Sequence, residues 1–184
     1  MGLEYRQQVM NELCGAIDLI DPAAVESFET QLLKAKRIFC HGSGRSGLNA
    51  RAFAMRLMHM GREAYIIGDV LTPSIREGDA LLVISASGNS KNLETTVRKA
   101  IGEGASVAAI TTNPDSALYS LAQNSVLIKA PTKNDPVDKK ASVAPMGTLF
   151  EEGSYILCDM IILDMMRKLE IKTADMVYRH ANLE

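Results

Sequence analysis

From residue 37 onward, short apolar runs alternate with segments of helical periodicity, and this alternation leaves very few architectures open to the chain. The runs are Arg37 to His41 (RIFCH), Glu63 to Ile67 (EAYII), Ala80 to Ser85 (ALLVIS), Ser106 to Thr111 (SVAAIT) and Ser125 to Lys129 (SVLIK). Each has the length and β-branched content of a buried strand. Helical segments lie between them at Ser46 to Met60, Lys91 to Glu103 and Pro114 to Ala122, with Gly61 and Gly104 placed to end the first two. Strand, helix, strand, helix at this spacing requires right-handed crossovers, hence a parallel sheet with helices on both faces. The fold class expected is α/β, a three-layer doubly wound sandwich on a five-stranded parallel sheet of flavodoxin-like order 2-1-3-4-5.

The second crossover, Ile67 to Asp79, contains Pro73 and Gly78 and is too short for a long helix. An irregular segment with one turn around Ser74 to Glu77 is expected. Two helices precede the alternation. Leu3 to Ile20 sets Val9, Leu13, Ala16, Ile17 and Ile20 on one side, and Asp21-Pro22 caps a second helix running to about Ala35. After the last strand, the polar, proline-punctuated stretch Ala130 to Ala144 reads as a long loop over the surface or an active site. A long helix from Thr148 to Leu169 and a short one from Thr173 to Arg179 follow. With 184 residues, 47% of them hydrophobic, the chain suits one core and leaves little room for another. It is read as a single domain: amino-terminal helices over 1–35, an α/β core over 36–130, and carboxyl-terminal helices and tail over 145–184.

Twenty basic and 22 acidic side chains give a formal charge of −2, which argues against a general nucleic-acid binder. Cys14, Cys40 and Cys158 are far apart and form no CxxC pair, so they read as small buried hydrophobes in a reducing compartment. His41, His59 and His180 are equally scattered, and no metal constellation is visible. His59, in an apolar-rich helix, reads as packing. MGLEYRQQ is no signal sequence, and the longest apolar stretch, Tyr155 to Met166, is broken by Asp159 and Asp164. These features imply a cytoplasmic chain with no membrane partner. Met55, Met58 and Met60, then Met160, Met165 and Met166, suit gaps between helices or between subunits.

Two loops carry the chemistry. Gly42-Ser43-Gly44-Arg45-Ser46-Gly47 follows the first strand, and Ser85-Ala86-Ser87-Gly88-Asn89-Ser90 follows the third, each leading into a helix. Glycines let the backbone approach a ligand, hydroxyls donate hydrogen bonds, and a helix amino terminus offers unpaired N–H groups at a positive dipole end. This chemistry suits a phosphate, and in a 2-1-3-4-5 sheet both loops open into one crevice. A rival reading takes Gly42, Gly44 and Gly47 as G-x-G-x-x-G with Asp69 on a ribose hydroxyl, the dinucleotide fingerprint. It leaves the second loop unexplained, and a single phosphate ester fits both loops better. Ser43, Arg45, Ser46, Ser85, Ala86, Ser87, Gly88, Asn89 and Ser90 are the candidate substrate and phosphate contacts. Ser46 as a helix cap and Arg45 as a solvent-facing side chain remain open. Thr148 and Glu151 form T-x-x-E at a helix start, which by spacing alone is a capping box.

The chain resembles the SIS (sugar isomerase) family and, within it, the 6-phospho-3-hexuloisomerases. SIS character rests on Ser85 to Ser90. The closer resemblance rests on Gly42 to Gly47, on Phe53-Ala-Met-Arg-Leu-Met-His-Met-Gly61, on Pro145-Met-Gly-Thr-Leu-Phe-Glu151, and on Arg179-His-Ala-Asn-Leu-Glu184. In the second loop, members of this branch often read Ser-Gly-Ser-Gly-Glu-Thr, whereas this chain has Ala86, Asn89 and Ser90; its Gly-Asn-Ser is similar to phosphoheptose isomerases. The resemblance implies the SIS fold and interconversion of D-arabino-3-hexulose 6-phosphate and D-fructose 6-phosphate without a cofactor. It places that step after the condensation of formaldehyde with ribulose 5-phosphate, coupled to 3-hexulose-6-phosphate synthase. It also implies a homotetramer, Glu151 as the proton acceptor, and His180 acting in ring opening at a neighbouring subunit, where an exposed residue near a frayed terminus is the alternative.

Overall fold

The computed structural model describes residues 2–132 and 142–183. Strands β1 (Ile38–Gly42), β2 (Ala64–Ile66), β3 (Ala80–Ile84), β4 (Ser106–Thr111) and β5 (Asn124–Leu127) form one parallel sheet in the order β2-β1-β3-β4-β5. The helices are α1 (Arg6–Asp18), α2 (Pro22–Lys34), α3 (Gly44–His59), α4 (Lys91–Gly102), α5 (Ala117–Leu121), α6 (Thr148–Lys168) and α7 (Thr173–Tyr178). Strand side chains alternate between two cores, because successive residues of a strand point to opposite faces. Ile38, Cys40, Leu82, Ile84, Ala108 and Ile110 pack with Phe28, Leu32, Phe53, Leu57, Phe150 and Ile161 from α2, α3 and α6. Phe39, Leu81, Val83, Val107 and Ala109 pack on the other face with Leu93, Val97 and Ala100 of α4 and Leu118 of α5. The doubly wound sandwich expected from the alternation is the observed one, and all of β3 is buried at its centre.

Local chemistry moves several boundaries. A 3-10 turn (Gly2–Tyr5) precedes α1, so the first helix is shorter than its periodicity suggests. Asp21 caps α2 as expected, its carboxylate accepting from the Ala23 N–H at 2.9 Å, with Pro22 in the first turn. By contrast, α5 starts three residues after Pro114, because Ser116 supplies the cap by accepting from the Tyr119 N–H. The second crossover is irregular and has no helical turn at Ser74 to Glu77; Ile67 and Ile75 cover the sheet there. Cys40 and Cys158 are buried, with burial raising both thiol pKa values, but Cys14 is exposed and so is no core hydrophobe. Met60 and Met165 fill the core, whereas Met55, Met58 and Met160 are exposed. Of the loop expected over Ala130 to Ala144, residues 133–141 lie outside the described residues; its return is tied to α1, where Glu12 accepts from the Ser142 hydroxyl and the Val143 N–H. No helix among the described residues is long and apolar enough to cross a membrane.

Candidate active site

β1 and β3 are neighbours, with Gly42 in register with Ile84. The chain leaves them in different directions through the sheet, which makes their carboxyl ends the topological switch point. The first loop turns there with almost no space between β1 and α3. A Cβ on Gly42 would lie 2.8 Å from the Ser46 carbonyl oxygen, and one on Gly47 would lie 2.7 Å from the Gly42 carbonyl oxygen. Both glycines therefore serve the backbone approach of strand to helix. The second loop is braced from β4: the Ala86 carbonyl accepts from the Thr112 N–H and from the Thr111 and Thr112 hydroxyls at 2.9–3.1 Å.

The loops enclose a cavity of about 560 Å³ lined by Ser43, Gly44, Arg45, Ser46, Ile84, Ser85, Ala86, Ser87, Ser90, Leu93, Thr132, Pro145, Met146, Gly147, Thr148 and Glu151. Three helices begin at its wall, with N-caps Ser43 for α3, Ser90 for α4 and Gly147 for α6, and none of these residues makes a side-chain cap bond. No side chain caps these ends, although the first N–H of α6, that of Thr148, donates to the Pro145 carbonyl at 3.2 Å; three positive dipole ends converge on one space, which favours an anion. Ser43, not Ser46, is the N-cap of α3; Ser46 lies inside the helix, 8% exposed, at the cavity wall.

Arg45 does not simply face solvent. Its Nη1 lies 2.8 Å from Glu151 Oε2 and donates to the Thr148 hydroxyl at 3.1 Å. The Thr148 hydroxyl donates in turn to the Pro145 carbonyl at 2.7 Å. The T-x-x-E capping box is therefore not formed: Gly147 is the N-cap, Thr148 is the first helical residue, and the Glu151 carboxylate is turned to the cavity and Arg45. Met146, in the left-handed region with φ 58°, makes the sharp entry into α6.

Three expected site residues lie elsewhere. Gly88, with φ 64°, abuts Ser116, where a Cβ would lie 2.3 Å from the hydroxyl oxygen; its N–H donates to the Ser85 hydroxyl at 3.2 Å. The Asn89 side chain accepts from the Ala117 N–H at 3.1 Å and so belongs to the start of α5. His180 stacks on His59 with ring centroids 5.1 Å apart, at the carboxyl end of α3. Ser46 and His59 are separated along α3 by about 20 Å of helix, so His180 does not reach the cavity of its own chain. His59 is buried as expected; burial lowers its imidazole pKa, and the positive charges of His180 and Arg56 act in the same direction. Asp69 is held by Arg51 in a bidentate pair at 2.6 and 2.9 Å, which takes it out of the dinucleotide reading. Among the described residues, no three His, Cys, Asp or Glu side chains are grouped to hold a metal.

Asn49 escaped the sequence reading. Its Nδ2 donates to the Glu151 carbonyl at 2.6 Å and to the Ser154 hydroxyl at 2.9 Å. Its position four residues after Arg45, one helical turn along the same face, was the available signal.

An open parallel sheet with a cavity at its switch point, walled by helix amino termini, defines a doubly wound α/β protein. The family model of the SIS domain matches residues 31–149, and the chain belongs to that family. It is 38% identical over 181 residues to the 3-hexulose-6-phosphate isomerase of Bacillus subtilis, covering 98% of each chain. It is also 38% identical over 176 residues to the 3-hexulose-6-phosphate isomerase of Mycobacterium gastri, covering 96% of this chain and 88% of that one. A Methanococcus jannaschii protein, whose crystal structure was used to infer a molecular function of 3-hexulose-6-phosphate isomerase, superposes with a TM-score of 0.85 at 31% identity, covering 98% of this chain and 99% of that chain.

Proposed function

We propose that this sugar-phosphate isomerase of the SIS family interconverts D-arabino-3-hexulose 6-phosphate and D-fructose 6-phosphate, with Glu151 as the proton-transfer base. The observation that carries the reading is the placement of Glu151 in the wall of the cavity where three helix amino termini without side-chain caps meet. The phosphate binds at the serine loops, with Ser46, Ser85, Ser87 and Ser90 around it. Glu151 removes the proton from C2, giving an enediolate across C2 and C3, and returns a proton to C3 from the same face. The hydroxyl proton of O2 is lost as the C2 carbonyl forms, and O3 gains one. Arg45, on the Glu151 carboxylate, places positive charge beside the developing enediolate. Apart from the enzyme, the reaction needs only these proton transfers.

The 3-hexulose cannot close a furanose through O6, which carries the phosphate, and closure through O5 would make a four-membered ring. It binds open-chain, and ring opening concerns only fructose 6-phosphate. We assign His180 to that step at a neighbouring subunit of a homotetramer; the exposed Met55, Met58, Met160 and Leu163 on α3 and α6 support such an assembly. Deletion of residues 179–184 is expected to slow the direction starting from fructose 6-phosphate more than the reverse. Unchanged activity in both directions would leave the tail no part in the reaction.

The Gly-Asn-Ser sequence gives weak support to a heptose substrate, since the Asn89 side chain serves α5 and is not in the cavity wall. Side-by-side turnover of 3-hexulose 6-phosphate and sedoheptulose 7-phosphate tests the assignment. Faster turnover of the heptulose would overturn it. A domain that only senses phosphosugars would give no deuterium incorporation into fructose 6-phosphate from heavy water, followed by NMR.

A further inference from the structure

We infer that Asn49 is a positioning residue for the proposed base, locking the first turn of α6 to α3 so that Glu151 is held toward the cavity; the inference rests on the role proposed for Glu151. Asn49 is 9% exposed and Ser154 is fully buried. The Asn49 amide donates to the Glu151 carbonyl and to the Ser154 hydroxyl at 2.6 and 2.9 Å, and the Ser154 hydroxyl donates to the same carbonyl at 3.0 Å. The three groups close a triangle with the Glu151 carbonyl as its common acceptor.

The buried part of the seam around this triangle is apolar, the other polar links between α3 and α6, Arg45 to Glu151 and Thr148 and Arg56 to Asp159, lying at its exposed edge. Phe53 and Leu57 of α3 and Phe150, Leu157 and Cys158 of α6 belong to one core cluster. Apolar contacts of this kind are non-directional, so they hold the helices together without choosing where along α3 the first turn of α6 comes to rest. Hydrogen bonds are directional and fix that register. Arg45 and Asn49 lie one turn apart on α3, so α3 grips Glu151 at both ends: Arg45 meets the carboxylate and Asn49 the carbonyl. Two fixed points determine the direction of the side chain. For proton transfer this matters, because a displacement of about 1 Å in a reacting group costs up to about 100-fold in rate.

The test is Asn49→Leu, which keeps the side-chain bulk and removes the amide. Its kcat for fructose 6-phosphate is expected to fall about 10- to 100-fold with KM within about threefold of wild type. In a Glu151→Gln background, the same change is expected to cost less than about twofold, because a residue acting through Glu151 has nothing left to position. A kcat within twofold of wild type, a raised KM with kcat kept, or a full additive loss in the Glu151→Gln background would each overturn the inference. If Asn49→Leu does not fold, Ser154→Ala removes one corner of the triangle with a smaller change, and an unchanged kcat there overturns it equally. Near-wild-type activity of Glu151→Gln alone would instead sink the role of Glu151, and the inference with it.

Discussion

Glu151→Gln is expected to lower turnover about 10²- to 10⁴-fold while the protein stays folded. Glutamine has the same length and shape but cannot accept the substrate proton, so the loss falls on chemistry and not on packing. The stability cost is small because the Arg45 pair that disappears is half exposed on the arginine side and 21% exposed on the glutamate side. Pairs of that kind contribute about 1 kcal/mol or less. Glu152 provides the internal control. It is rotated about 100° around α6 from Glu151. It lines an adjoining cavity of about 290 Å³ that shares Arg45 and Glu151 with the serine-loop cavity, but it is absent from the wall formed by the serine loops themselves. Glu152→Gln is expected to keep turnover within a few-fold of wild type. Steady-state rates in both directions, with circular dichroism to confirm folding, provide the measurement; a Glu151→Gln enzyme as active as wild type would remove the carboxylate from the mechanism.

The position of Glu151 also shows where sequence reading reached and where it stopped. The strand order, the two loops and their shared crevice were legible because they follow from hydrophobic periodicity and chain direction, which are properties of short segments. T-x-x-E was read correctly as a helix start, but spacing alone could not show that Thr148 would turn its hydroxyl back to Pro145. Nor could it show that an arginine 106 residues earlier would take the carboxylate. Asn89 was misplaced for a related reason: the loop bulges at Gly88 and hands the amide to α5, a contact 28 residues away. Gly42 and Gly47 fit a nucleotide fingerprint by spacing, whereas their close backbone approach explains them without a nucleotide. In each case, a local pattern admitted two partners, and a long-range contact chose between them.

The largest effect on stability is expected at the opposite end of the sheet, at Asp79→Asn. Asp79 immediately precedes β3 and is 2% exposed. It accepts from Arg37 Nε and Nη2 at 3.1 and 2.6 Å and from the Arg76 N–H at 2.8 Å. Burial pushes this carboxyl up, but the Arg37 hydrogen bonds and the Arg76 N–H outweigh it and hold the pKa below its ordinary 3.8. Breaking a fully buried pair costs about 3–5 kcal/mol. Arg37 keeps 23% of its side chain in contact with solvent and can recover some hydration. The expected loss is therefore about 2–3 kcal/mol at neutral pH. Because the folded pKa is depressed, this contribution is fully present above the unfolded value near 4 and is lost as pH falls through the folded value. The difference in denaturant stability between wild type and Asp79→Asn should accordingly hold constant from pH 7 to about 4 and shrink only as the pH is taken below the unfolded value; a difference unchanged below that value would mean that the ionised carboxylate is not its source. β3 separates Asp79 from the serine loop by about 17 Å. The variant should therefore keep its kcat while losing stability, the reverse of Glu151→Gln, so comparison of the two separates loss of fold from loss of chemistry at the switch point.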